Sequence, residues 1–225
     1  SLNAMKNTNA YTVLDYNRGN KSFVIDLYDF ATLERTKNIL DTKNFPELTE
    51  ISEYSFNNDE TKLLIATNSN PIYRHSFTSL FYSYDTKTNQ LVKVSEREIQ
   101  EPQFNYDGSK IAYVYDNNIF VNDLNLNQTI QITNDGVKNK IINGITDWVY
   151  EEEFAFVRAF DWNADGTKLA FIKFDESDVP VFSMDIYGDE LYPKQQVFKY
   201  PKAGENNSKV SLHLYDVSKA STQNV

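Results

Sequence analysis

The fold class the sequence predicts is all-β, and three observations carry it. The chain holds 15 Tyr, 15 Phe and 2 Trp among 225 residues, set among Val, Ile and Thr, and such side chains suit a pleated, half-buried surface. A strand, tight turn, strand pattern occurs three times: Phe56-Asn57-Asn58-Asp59-Glu60-Thr61-Lys62, Phe104-Asn105-Tyr106-Asp107-Gly108-Ser109-Lys110 and Trp162-Asn163-Ala164-Asp165-Gly166-Thr167-Lys168, each running on into an apolar stretch. The copies begin at positions 56, 104 and 162, spacings of 48 and 58 residues, near the roughly 40 to 50 that one four-stranded propeller blade needs. The expected architecture is a partial, open β-propeller of roughly three to four four-stranded antiparallel blades, since a closed ring takes about four to eight.

Each element follows from local pattern. Ser1 to Met5 read as a cloning remnant, leaving 6–225 as one partial propeller domain and an excised piece of a longer protein. Residues 22–29 alternate as an outer strand of a flanking blade, and 210–216 do the same at the other end. In the repeats an aromatic closes one strand, Asn/Asp-Gly supplies positive φ, and the next strand starts at the lysine. Glu60 stands where the other copies carry Gly108 and Gly166, so the first turn is expected to be of another type. Second hairpins follow at 80–85 with 91–94 and at 118–123 with 129–133. Trp162 is expected in the core.

Composition excludes several functions. With 22 basic and 32 acidic residues the formal charge is −10, and without a Lys/Arg block there is no footprint for nucleic acid. The absence of cysteine removes disulfides, thiolate nucleophiles and Cys-based zinc sites. Asp107 and Asp165 lack the spaced oxygen ligands of a calcium loop and read as turn formers. No metal or cofactor is called for. No apolar run is long enough to cross a bilayer as a helix.

The surplus between the second and third repeats falls at about 138–158 and holds Asp147-Trp148-Val149-Tyr150-Glu151-Glu152-Glu153. A triple Glu is ordinarily a solvated run. Here alternation lapses, and Asp147 is placed to cap a short helix through the glutamates. Insertions of this kind put functional groups on a rigid scaffold.

The string Asn143-Gly144-Ile145-Thr146-Asp147-Trp148-Val149-Tyr150-Glu151-Glu152-Glu153-Phe154, with Tyr73-Arg74-His75-Ser76 upstream and Asp178-Val179-Pro180, Tyr192-Pro193-Lys194 and Tyr200-Pro201-Lys202-Ala203-Gly204 downstream, resembles the dipeptidyl peptidase IV family of the prolyl oligopeptidase clan. The resemblance implies an eight-bladed parent propeller followed by an α/β-hydrolase domain with a Ser-Asp-His triad, releasing N-terminal Xaa-Pro or Xaa-Ala dipeptides. No Gly-x-Ser-x-Gly elbow occurs in this chain, so it is expected to be non-catalytic by itself. Carried over by position, Glu152 and Glu153 would bind the free α-amine of a peptide substrate. Arg74 would reach the substrate carbonyl, and Glu151, Tyr150 and Trp148 would support. Phe156 departs from the small polar residue of animal members. The family also suggests a bacterial, exported, periplasmic or envelope-associated parent, with a homodimer among its open forms. Two alternatives remain at this point: a prolyl tripeptidyl peptidase propeller and a non-catalytic propeller binding module.

Two carboxylates can take an ammonium's donors as charge-assisted hydrogen bonds. Such an anchor also measures length, since two extended residues span at most about 7 Å.

Overall fold

A computed structural model describes residues 2–225, which divide into two compact units: residues 2–70 with 78–99, and residues 71–77 with 100–225. The first contains two antiparallel sheets. One runs β1 (Leu2–Ala4), β2 (Ala10–Asn17), β3 (Ser22–Asp29) and β4 (Arg35–Asp41), and the other β5 (Glu53–Phe56), β6 (Lys62–Pro71), β7 (Phe77–Asp85) and β8 (Gln90–Lys93). The residues read above as a cloning remnant thus supply β1, with Leu2 opposite Val13. Ile25, Leu40, Leu48, Leu63 and Ile65 are fully or almost fully buried in this unit's core.

In the second unit a four-stranded sheet of β9 (Gln100–Phe104), β10 (Lys110–Tyr115), β11 (Asn118–Asp123) and β12 (Gln128–Gln131) is followed by a five-stranded one. Its strands are β13 (Ile141–Asn143), β14 (Phe160–Trp162), β15 (Lys168–Asp175), β18 (Lys209–Asp216) and β19 (Ser221–Asn224), while β16 (Val181–Ile186) and β17 (Lys194–Lys199) form a separate hairpin between β15 and β18. Val114 and Ile119 pack with Leu169, Phe171 and Phe174 in one core. Trp162, expected inside, is half-buried at the rim of that core, its indole N–H reaching the Gln103 carbonyl at 3.4 Å.

The three repeats share one turn. Asn57, Asn105 and Asn163 each accept, on the side-chain oxygen, the N–H of the lysine opening the next strand, at 2.9, 2.9 and 2.8 Å. The positive φ falls on a single position, 59° at Glu60 and 68° at both Gly108 and Gly166. The expectation of a different first turn is therefore corrected. Glu60 takes the left-handed conformation despite its Cβ, and its carboxylate accepts the backbone N–H groups of Lys6 and Asn7, which offsets the strain.

A second repeated turn leads into the last strand of each of the four larger sheets. Asp29, Asp85, Asp123 and Asp216 each end a strand and accept the N–H groups two and three residues on, at 2.8 to 3.1 Å. Leu33, Asn89, Asn127 and Ala220 then take positive φ before the last strand. The residue after each aspartate ties this turn to the first: Thr86, Leu124 and Val217 donate to the carbonyls of Thr61, Ser109 and Thr167, each at 2.9 Å, and Phe30 donates to Asn9 at 3.1 Å.

The surplus expected over 138–158 is an excursion interrupting one strand. Asn143 pairs with Lys173 and Phe160 with Phe171, so β13 and β14 lie along the same edge of β15. Between them Ile172 bonds to two segments: its carbonyl accepts from Gly144 N–H at 3.0 Å, and its N–H donates to the Ala159 carbonyl at 2.8 Å. Gly144 has φ +77°, and a Cβ there would meet the Ile119 side chain at 2.8 Å, so this close approach needs glycine.

Candidate amine-binding site

The excursion narrows into a stem before it turns. Ile145 bridges Arg158, Thr146 N–H donates to the Val157 carbonyl at 3.0 Å, and the Thr146 hydroxyl donates to the Phe156 carbonyl at 3.0 Å. Helix α1 (Trp148–Phe154) forms the tip. Asp147 caps it as the sequence predicts, one carboxylate oxygen accepting Tyr150 N–H at 3.0 Å and the other accepting the Ser208 hydroxyl. Ala155, at φ 54°, ends the helix with its N–H on the Glu151 carbonyl, a left-handed closure that stops propagation.

The three glutamates have three environments. Glu151 is 1% exposed, and its Oε1 accepts the backbone N–H groups of His75 at 2.7 Å and Ser76 at 2.8 Å. Glu152, 17% exposed at its side chain, accepts Arg74 Nε at 3.1 Å, while Arg74 is itself 71% exposed. Glu153 is exposed. The fold thus brings Arg74, from the Tyr-Arg-His-Ser loop, against a helix distant in sequence, through Glu151 on the main chain and Glu152 on the side chain. The arginine uses Nε, one of the five donors that a guanidinium carries.

The aromatics of the motif pack. Trp148 lies 5.9 Å from the Phe198 ring and 4.6 Å from that of Tyr200, centroid to centroid. Tyr150 meets Phe174 at 5.0 Å and Phe156 at 6.2 Å, so Phe156 is part of the helix's apolar support. Tyr73 lies 6.0 Å from Phe198. The loop, the helix and the β16–β17 hairpin therefore share one aromatic cluster, with its rings tilted or edge-to-face.

Sequence reasoning missed two neighbours. Ser208 completes the bonding of Asp147. Glu176, just beyond β15 and 6% exposed, has its carboxyl pushed up to about 7 by burial and then by the charge of Asp147, with Lys199 pulling the other way. The Tyr73 hydroxyl is pushed up to about 12 by burial first, then by Glu176, Glu151 and Asp147. Glu176 carried no distinguishing signal, because a Glu directly after a strand reads as an ordinary exposed strand end. Among the described residues no group of three or more metal-ligating side chains is placed to hold a metal ion.

Residues 57–225 match the family model described as the dipeptidyl peptidase IV (DPP IV) N-terminal region. The chain is 38% identical over 170 residues to human prolyl endopeptidase FAP, covering 74% of this chain and 22% of that protein. It is 38% identical over 185 residues to dipeptidyl peptidase 4 of Sus scrofa, covering 79% of this chain and 24% of that one. The crystal structure of Porphyromonas gingivalis dipeptidyl peptidase 4 superposes with a TM-score of 0.90 and 38% identity, over 100% of this chain and 32% of that one. A putative dipeptidyl aminopeptidase IV from Bacteroides ovatus shares the fold at a TM-score of 0.62 and 18% identity, over 96% of this chain and 28% of that one. The chain thus spans about a quarter of the length of the curated relatives it matches. With sheets of the blade type and these likenesses together, it belongs to the dipeptidyl peptidase IV N-terminal region family and corresponds to part of that region's propeller.

Proposed function

We propose that this propeller segment holds the free α-amine of a peptide substrate while an α/β-hydrolase domain of the same parent chain cuts after the second residue, releasing Xaa-Pro or Xaa-Ala dipeptides. The observation that carries the reading is the division of labour among the three glutamates. Glu151 is sealed against backbone amides, which leaves Glu152 and Glu153 as the adjacent pair, with Arg74 3.1 Å from the first of them. An ammonium supplies three donors to such a pair, and Arg74 supplies further donors for a carbonyl.

An arriving amine shares Glu152 with Arg74, so the site stays close to charge balance before and after binding. A peptide with a blocked N-terminus gains neither carboxylate and leaves Glu153 without a cation while Glu152 keeps only Arg74, which makes it a poor ligand. The test is Glu152→Gln and Glu153→Gln in the intact parent, assayed on free-amine Xaa-Pro chromogenic substrates. Losing one charge-assisted bond costs roughly 1.5–3 kcal/mol, so kcat/KM is expected to drop by about tenfold to a hundredfold. Unchanged rates in both variants would discard the anchor.

Export of the parent to the bacterial cell envelope belongs to the same proposal and is checked by fractionating source cells. Recovery of the parent in the cytosol would contradict it. Homodimerisation of the parent is checked by its mass in solution.

A further inference from the structure

Arg74 sits on a loop that its own side chain cannot hold. It is largely exposed, and its contact with Glu152 is a single ion pair through Nε, a type of bond that contributes little at a surface. The next two residues are held differently. The N–H groups of His75 and Ser76 both converge on one oxygen, Oε1 of the fully buried Glu151. The loop also closes on itself, Ile72 N–H donating to the Ser76 carbonyl at 2.8 Å. Burying a carboxylate is costly unless its charge is met by hydrogen bonds, and here both bonds are charge-assisted and go to main chain. The charge of Glu151 is therefore committed to the shape of the Arg74 loop.

We infer that Glu151 is a positioning residue for the amine site: by clamping the amides of His75 and Ser76 it fixes where Arg74 meets Glu152, without touching substrate. The inference rests on the amine-anchor reading for its kinetic consequence. Its structural part, the clamp, stands apart from that reading.

The clamp depends more on reach than on net charge, and this separates it from a ligand-binding role. A glutamine at 151 still offers one carbonyl oxygen at the right distance, and that oxygen can accept both N–H groups. An aspartate keeps the charge but falls one methylene short. A carboxylate that bound the amine directly would show the reverse order, with Asp milder than Gln.

The experiment compares Glu151→Gln, Glu151→Asp and Glu151→Ala in the intact parent, alone and combined with Arg74→Ala, measuring kcat and KM on a free-amine Xaa-Pro substrate. Amide hydrogen exchange is followed in the peptide covering 71–77. The Asp and Ala variants are expected to raise KM by about tenfold with kcat little changed, and to speed exchange at His75 and Ser76, while Gln stays within about threefold of the parent. With Arg74 already removed, the Asp substitution is expected to add less than about twofold, because residues acting through one another are non-additive.

Three results would overturn the inference: Gln more damaging than Asp, an undiminished Asp penalty without Arg74, or unchanged exchange at 75 and 76 in the Asp variant. If Glu151→Ala does not fold, the Asp and Gln variants decide alone. If Glu152→Gln and Glu153→Gln both prove harmless, the amine-anchor reading fails, and the exchange data still decide the clamp.

Discussion

Replacing Glu176 with Gln should make the second unit more stable above neutral pH, by an amount that follows from its surroundings. The carboxyl is raised from an ordinary value of 4.5 to about 7, chiefly by burial. Between those values the unfolded chain has this group ionised while the folded chain keeps its proton. Stability from the protonated form is thus fully present below about pH 4.5 and is lost as pH rises through about 7. At about 1.4 kcal/mol per unit of pKa the whole step is on the order of 3 kcal/mol, or roughly 6–12 °C in melting temperature for a chain of this size. Gln keeps the shape and cannot ionise. It should therefore match the wild type near pH 4 and exceed it by up to about 3 kcal/mol at pH 8 to 9. Both tryptophans, Trp148 and Trp162, belong to the unit that contains Glu176, so urea unfolding followed by tryptophan fluorescence reads the correct part of the molecule. His213, whose imidazole burial pushes down, changes stability in the opposite direction over part of this window but is common to both proteins and cancels in the difference. The turn aspartates held below their usual 3.8, such as Asp85 and Asp123, act only in more acid solution. A difference between variant and wild type that stays constant from pH 5 to 9 would refute the reasoning.

Gly144→Ala should cost more than about 2 kcal/mol by thermal melting, because φ +77° and a Cβ 2.8 Å from Ile119 combine strain with overpacking. Ser208→Ala should cost about 1 kcal/mol in urea unfolding, since it removes the hydroxyl that one oxygen of buried Asp147 accepts. Asn105→Ala should cost about 1–2 kcal/mol in the same assay by releasing the N–H of Lys110 from its turn clamp. In a concentration series by light scattering the isolated chain should exceed its monomer mass, as Val181, Met184, Ile186 and Val197 are exposed on one hairpin. A single monomeric species throughout would contradict that.

The blades were legible where turn chemistry is written in side chains. Asn105, Asp107 and Gly108 announce a turn because each has a separate physical task, and the same letters recur at 163–166. The copy at 5–10 was not legible. Met5 N–H donates to the Ala10 carbonyl at 2.9 Å, as Asn105 does to Lys110, yet Met5, Lys6, Asn7 and Thr8 keep none of the marking side chains. The aspartate turns at 29, 85, 123 and 216 were in plain sight but share only one letter at variable surroundings. The β16–β17 hairpin escaped because a projecting strand alternates as an inner one does. The cap at Asp147 and a separate role for Glu151 were readable from spacing and family resemblance. The burial of Glu151 was not, since its partners are backbone amides about 75 residues away, which no local pattern encodes.

The divided pairing of Ile172 has an architectural meaning. Asn143 and Phe160 face Lys173 and Phe171, so one residue opposite Ile172 would suffice to make an uninterrupted strand, and everything from 144 to 159 stands in that residue's place. An excursion installed this way leaves the register of its host sheet untouched. Its tip can be lengthened or trimmed without shifting a strand of the blade as long as Ile145 and Ala159 keep the stem seated in the core.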